Sequence, residues 1–174
     1  MKKEDGIDPI FVGIDESNHG RYPEFFTAVF SQILSDISLH QLKIQKERHD
    51  HKDLFKSLAK RDYAFLRLYQ EDEERLGNDK LGIVIASLVH QKIKEGYDFY
   101  IFVDALEERK ISRAREVVSE ITGLEKKFIM IQSSSDEQRR ILHDADELAH
   151  YLFRHATPYE IATKYKSHKV ELLR

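Results

Sequence analysis

Cysteine is absent from the 174 residues, which excludes disulfides, thiolate nucleophiles and any Cys-ligated structural zinc. No apolar run approaches the ~20 residues that a bilayer-spanning helix needs. The opening MKKEDGIDP passes straight into charge and proline, without the apolar stretch of a signal peptide. A soluble, cytoplasmic protein with no membrane partner is the expectation. Excess charge is lacking as well: 28 Lys and Arg stand against 31 Asp and Glu, a formal net charge of −3. That balance supplies no overall attraction for nucleic acid, so a polyanion would need a local basic surface or bound cations. There is no Gly-rich phosphate loop with its lysine, no dinucleotide fingerprint and no HExxH helix. Ser133, Ser134 and Ser135 lack the Gly-x-Ser-x-Gly elbow of a serine hydrolase and read as a loop leading to a helix cap.

What is there is an α/β order in a chain long enough for one domain with a substantial core, residues 1–174, with a helical extension from about residue 156. Residues 10–15 are apolar and partly β-branched, and FFTAVFSQIL at 25–34 reads as a second strand after a turn around Asn18, Gly20 and Pro23. Residues 36–60 carry many lysines with poor periodicity, which predicts part helix or an irregular excursion. DYAFLRLY at 62–69 has the aromatic content of a third strand, and the polar run from Gln70 to Lys80 breaks the pattern. From Leu81, the spacing of Ile85, Leu88, Val89 and Ile93 predicts a helix ending near Gly96. Tyr97 to Val103 is a continuous apolar run, hence a buried strand. A helix follows at 111–121 with Gly123 as its stop, then a short strand at 128–131. Ser135 with Gln138 suggests a capping pair for a helix to about His155, and Pro158 opens a last one through Tyr165. Three strands, then alternating helices and strands, predict a mixed sheet covered on both faces.

Acids stand at the ends of two of these strands: Asp15 and Glu16 after PIFVGI, and Asp104 after FYIFV. If the two strands are parallel neighbours, both acids lie at C-terminal strand ends, where α/β folds place ligands. A helix over that edge can add one more. In HDADELAHYLF the core side is Leu142, Ala145, Leu148, Ala149 and Leu152, with Asp146 at its margin, one turn from Leu142 and from His150. Asp146 is therefore the first choice for an inward acid, and Asp144, two positions away, the alternative. Converging carboxylates suit hard cations such as Mg2+ or Mn2+, and paired cations of that kind serve phosphodiester hydrolysis.

Other polar groups read as less committed. His143 and His150 sit within one turn of Asp146 and read first as surface or edge histidines. His40, His49 and His51 read as solvated positions before they read as a transition-metal cluster. Asn18, His19 and Arg21 read first as turn residues, with Arg21 close enough to Glu16 in sequence to meet a substrate phosphate as the second reading. Lys164, Lys166, Lys169 and Arg174 form a local positive cluster near the end of the chain, suited to flanking a nucleic-acid strand.

FVGIDES resembles the opening strand of type 2 ribonucleases H, where an Asp and a Glu are adjacent. It also resembles the Asp-Glu-Ser opening of an uncharacterised family with a ribonuclease-H-like fold. LHDADELAH is similar to that second family's Leu-Gln-x-Ala-Asp-Leu helix motif, with Ala145 and Asp146 on its Ala-Asp pair. The resemblance spans most of residues 10–155 and implies a ribonuclease-H-like mixed five-stranded sheet with helices on both faces. It assigns Asp15 and Glu16 to the first-strand roles, Asp104 to the fourth-strand role and Asp146 to the final helix. Ser17, Asn18, His19, Gly20 and Arg21 stand where type 2 enzymes carry a Gly-Arg-Gly type turn that reads an RNA to DNA junction. The expected activity is a divalent-metal-dependent nuclease acting on RNA, DNA or an RNA/DNA hybrid. The rival expectation is a non-catalytic nucleic-acid or protein interaction module on the same fold.

Overall fold

The computed structural model describes residues 9–17, 21–38, 51–104, 107–134 and 139–173. Asn18, His19 and Gly20, the histidines and lysines of 39–50, the proposed Ser135 and Gln138 capping pair, and Arg174 lie outside these residues. Five strands form one sheet: β1 (Ile10–Glu16), β2 (Glu24–Ser31), β3 (Asp62–Leu68), β4 (Phe99–Asp104) and β5 (Ile129–Ser134). Their spatial order is β3-β2-β1-β4-β5. β1, β2 and β3 pair antiparallel, whereas β4 runs parallel to β1 and β5 parallel to β4. The sheet is the mixed one expected from a meander followed by crossovers, with β1 at its centre.

Alternation along the strands divides the core in two. Ile10, Val12 and Ile14 of β1, with Phe99, Ile101 and Val103 of β4, pack under α3 (Lys80–Lys94) and α4 (Glu108–Thr122). Phe11 and Phe102 face the other way, toward α1 (His51–Leu58), α5 (Arg140–Arg154) and α6 (Pro158–Ala162). β1 and β2 are buried on both faces, which explains why both read as continuous apolar runs rather than alternating ones.

Several element ends differ from the sequence expectation. β2 stops at Ser31 instead of continuing to Leu34, because residues 34–36 turn into a 3-10 helix that buries Asp36. The polar run after β3 is not a break but a helix, α2 (Gln70–Leu76). Leu76 is its one buried residue, so apolar periodicity carried no signal. Its start is held instead by Asp72, whose carboxylate accepts the Tyr69 backbone N–H at 3.0 Å and an Arg75 N–H at 2.9 Å. β5 runs on to Ser134, three residues past the expected end. α4 ends as expected at Gly123, whose φ of 71° is the left-handed conformation that glycine adopts without cost. α5 begins at Arg140 with no side-chain cap, and α6 ends at Ala162 rather than Tyr165. Beyond α6 the chain returns to the β3 edge, where the Val170 N–H donates to Phe65 O at 2.8 Å and His168 stacks on Tyr63 at 3.8 Å. Of the C-terminal basic cluster, Lys169 thus lies beside β3, paired to Glu171 at 3.4 Å, while Lys164 lies over the Phe55 and Tyr165 rings.

α5 crosses the sheet closely. A Cβ built on Gly13 would come within 2.5 Å of the Ile141 carbonyl oxygen. Next to it, Thr27 of β2 donates its hydroxyl to Ala145 O at 2.7 Å. Replacing Gly13 by alanine must lift α5 off β1 and is expected to cost about 1–3 kcal/mol by overpacking. Urea denaturation of Gly13→Ala checks this, and an unchanged midpoint would mean that α5 can move without loss.

Candidate active site

The end of β1 pairs with β4 in a register that aligns Ile14 with Val103. The next step brings Asp15 and Asp104 level with each other at the C-terminal ends of two parallel strands. Both continue the face that carries Phe11 and Phe102, so both project on the α5 side of the sheet. Asp15 is nearly buried, at 9% exposure, and its Oδ1 accepts the Glu16 backbone N–H at 2.7 Å. Asp104 is half-buried and pairs in register with Ser134 of β5.

Glu16, one residue on, stands at the strand end between two concavities. One, of about 390 Å³, is lined by Glu16, Ser17, Arg21, Asp146, His150 and neighbouring residues of α5. The other, of about 700 Å³, lies on the α3 and α4 side and brings Glu16 together with Lys80, Arg109, Lys110 and Arg113. Within the second, Lys80 bridges Glu24 at 2.8 Å and Glu73 at 2.6 Å. Burial works against its charge, but those hydrogen bonds outweigh it and hold the ammonium above its usual range. Tyr22 donates to the same Glu73 at 2.6 Å, and burial with that carboxylate pushes its hydroxyl up to about 12. Arg113 forks onto Asp79 at 2.7 and 2.9 Å. Arg109 and Lys110 stand exposed at the start of α4, directly after the strand that ends in Asp104. Sequence reasoning passed over these two cations, although their position just past an acid-ended strand was visible.

The two acids of α5 separate. Asp146 borders the smaller concavity with Glu16. Asp144 is buried at 1% exposure elsewhere, toward α1. It accepts the Ser57 hydroxyl at 2.5 Å, with Arg140 Nε at 3.3 Å and Arg61 Nη1 at 3.9 Å. Burial raises its carboxyl above the ordinary range, against the Ser57 hydrogen bond and the two guanidinium groups. Asp144, the alternative inward acid, therefore belongs to an ion-pair network away from Glu16. Among the described residues, no three of the acids Asp15, Glu16, Asp104, Asp144 and Asp146 gather as a compact ligand group; the group that does is made of histidines.

No family model matches the chain, and no curated protein matches it. A solved structure does: the ribonuclease H2 from Pyrococcus horikoshii OT3 has 16% identity and a TM-score of 0.51, over 90% of this chain and 77% of that one. The fold is ribonuclease-H-like. At that identity the likeness concerns the arrangement of sheet and helices alone; no helix among the described residues of this chain is long and apolar enough to cross a membrane.

The network around Asp144 generates a prediction of its own. Arg61 forks onto Asp36 through Nε at 2.7 Å and Nη2 at 2.6 Å, and Ser31 donates to Asp36 at 2.5 Å. Burial opposes the Asp36 charge, but the bonds from Arg61 and Ser31 prevail and hold its carboxyl below the usual range. A depressed carboxyl contributes stability above its unfolded pKa, and that stability is lost as the pH falls through the lower folded value. Asp36→Asn takes from the mostly buried Arg61 guanidinium its closest carboxylate, leaving Ser57 and the more distant Asp144, and is expected to cost about 3 kcal/mol at pH 7. Urea denaturation should show the gap from the unsubstituted protein narrowing toward pH 3; an equal gap at both pH values would exclude the ion pair as its source.

Proposed function

We propose that this protein is a divalent-metal-dependent nuclease, a phosphodiester hydrolase acting on RNA or DNA. The observation that carries this is the parallel register of β1 and β4, whose last pair, Ile14 with Val103, leaves Asp15 and Asp104 as the next residues on one face. Neighbouring strands are ~4.8 Å apart, a spacing over which two carboxylates can share one cation. The donors are all carboxylate oxygens, which suit Mg2+ or Mn2+ rather than a softer metal. Asp15 and Asp104 would hold the metal from the strands, with Glu16 and Asp146 joining from the concavity that they line together.

The chemistry supplied by cations held at Asp15, Glu16, Asp104 and Asp146 would be Lewis-acid activation of a phosphodiester and of an attacking water. The chain supplies the rest. The sheet holds Asp15 and Asp104 rigidly, and the Glu16 N–H on Oδ1 fixes the orientation of the Asp15 carboxylate. α5 shields one side of the acids from water. Arg21, in the concavity beside Glu16 and Asp146, is positioned to take a phosphate oxygen. On the far side of Glu16, exposed Arg109 and Lys110 suit the backbone of the same strand. They provide the local basic surface that an overall charge of −3 does not.

Cleavage of labelled single-stranded RNA, single-stranded DNA, duplex DNA and an RNA/DNA hybrid, with Mg2+ or Mn2+ and beside chelator, tests this. Metal-dependent turnover is expected, falling about 100-fold in Asp15→Asn and in Asp104→Asn with unfolding transitions unchanged. Full activity in both variants would sink the proposal. Salt-sensitive binding that survives chelator without turnover would instead make the protein a binding module.

Replacing Arg109 and Lys110 together by alanine is expected to weaken nucleic-acid binding without regard to sequence. The slope of log affinity against log salt should fall by about 1.8 if each contacts one phosphate of a duplex. An unchanged slope would remove the α4 side from the interface.

A further inference from the structure

α1 packs lengthwise on α5 through Leu54 and Leu58 against Leu148 and Leu152, with Phe55 edge-on to Tyr151 at 5.0 Å. This packing has a chemical consequence at one end. His51, the first residue of α1, comes to the C-terminal end of α5, where His150 and His155 stand. Its ring centroid lies 5.7 Å from that of His150 and 4.9 Å from that of His155, and the last two are 6.1 Å apart. One ring nitrogen from each lies within 4.8 Å of the other two. Glu147, one turn before His150, puts a carboxylate oxygen 3.7 Å from His51 Nδ1.

We infer that His51, His150 and His155, with the Glu147 carboxylate beside them, form a transition-metal site of the zinc class. Imidazole nitrogens favour Zn2+, Ni2+ or Cu2+ over the hard cations that carboxylates attract. Zinc bonds imidazole at about 2.0–2.1 Å, so tetrahedral ligand nitrogens sit roughly 3.4 Å apart. The three nitrogens are already within 4.8 Å, and side-chain rotation of about 1 Å closes the difference. Three imidazoles are a sufficient protein ligand set for zinc with a fourth position left open, and the negative charge of Glu147 beside His51 offsets part of the metal's. His155 is exposed, so an ion reaches the group from solvent, while His51 and His150 are half-buried and restrained by packing.

Ring packing alone is the competing explanation, since His51 also lies edge-on to Tyr151 at 5.1 Å. The two differ in what they need: packing needs a ring, and a metal needs a nitrogen lone pair. The inference is also independent of the nuclease proposal, because it uses none of Asp15, Glu16, Asp104 or Asp146. Its effect would be to fasten α1 to the last turn of α5. His150 also borders the concavity of Glu16 and Asp146, so the fastening would lie next to that pocket.

The test uses the full chain free of any histidine tag, titrated with Zn2+ against a chelating indicator, with Co2+ substitution read by its visible absorption. One equivalent of Zn2+ is expected, with a rise in thermal midpoint and a tetrahedral Co2+ spectrum. His155→Phe, which keeps a ring at an exposed position, should weaken Zn2+ binding at least about tenfold and abolish the thermal shift. His51→Phe should do the same, and His168→Phe, at a histidine stacked on Tyr63 outside the group, should leave Zn2+ binding unchanged. Absence of stoichiometric binding, or binding that survives both His51→Phe and His155→Phe, would overturn the inference. Loss in Asp104→Asn with retention in those two variants would move the metal to the carboxylates instead.

Discussion

The passage of α5 across Gly13 is the constraint on which the rest of this structure depends. With no side chain at that position, the helix backbone lies directly on the central strand, its Ile141 carbonyl where a Cβ would otherwise be. Thr27 then secures the next turn by donating to Ala145 O, one strand over. These two contacts fix both the height and the direction of α5. Asp146 is carried to the rim of the Glu16 concavity, Asp144 to the buried guanidinium of Arg61, and His150 and His155 to the start of α1. A helix held farther from the sheet could deliver none of the three with the same definition, since each depends on the helix's rotation as well as its position.

Around this contact, charge is distributed by burial. On the α5 side, Asp36, Arg61 and Asp144 form a desolvated network in which every member has a hydrogen-bonding partner, the condition under which buried charge is tolerated. On the α3 side, Glu24 is almost fully buried and is compensated by Lys80, which also binds Glu73. The acids of the sheet edge differ from both groups. They stand where strands end and helices diverge, with water on one side, an arrangement suited to binding ligands.

The inner strands were legible because they are largely buried on both faces: FVGI, FFTAVF and FYIFV could be read as strands with no partner in view. α3 and α4 were legible from their apolar spacing, and α4 also from Gly123. α2 was missed because its stability lies in capping and ion pairs, which leave no apolar period. The overlong β2 has a similar cause: SQIL is apolar enough to extend the strand, but Asp36 turns inward to meet Arg61, a residue 25 positions later. At the site, the Asp15 and Asp104 strand ends were visible in one dimension, whereas Arg109 and Lys110 acquired meaning only once the groove beside Glu16 existed. His51 was grouped with its sequence neighbours, and its spatial neighbours lie about a hundred residues away.

By itself, the sequence determined the five strands in outline and the helices with a clear apolar face, that acids end the first and fourth strands, and that thiol chemistry is absent. Those are consequences of local patterning and composition, which need no knowledge of contacts. Only the tertiary structure decided that β1 and β4 are parallel neighbours in a register that makes Asp15 and Asp104 level, that Asp146 and not Asp144 shares a concavity with Glu16, and that three histidines from two helices meet. The physical reason is that register, helix rotation and long-range ion pairing are set by the packing of one element on another. In this chain that packing turns on the absence of a single Cβ at Gly13.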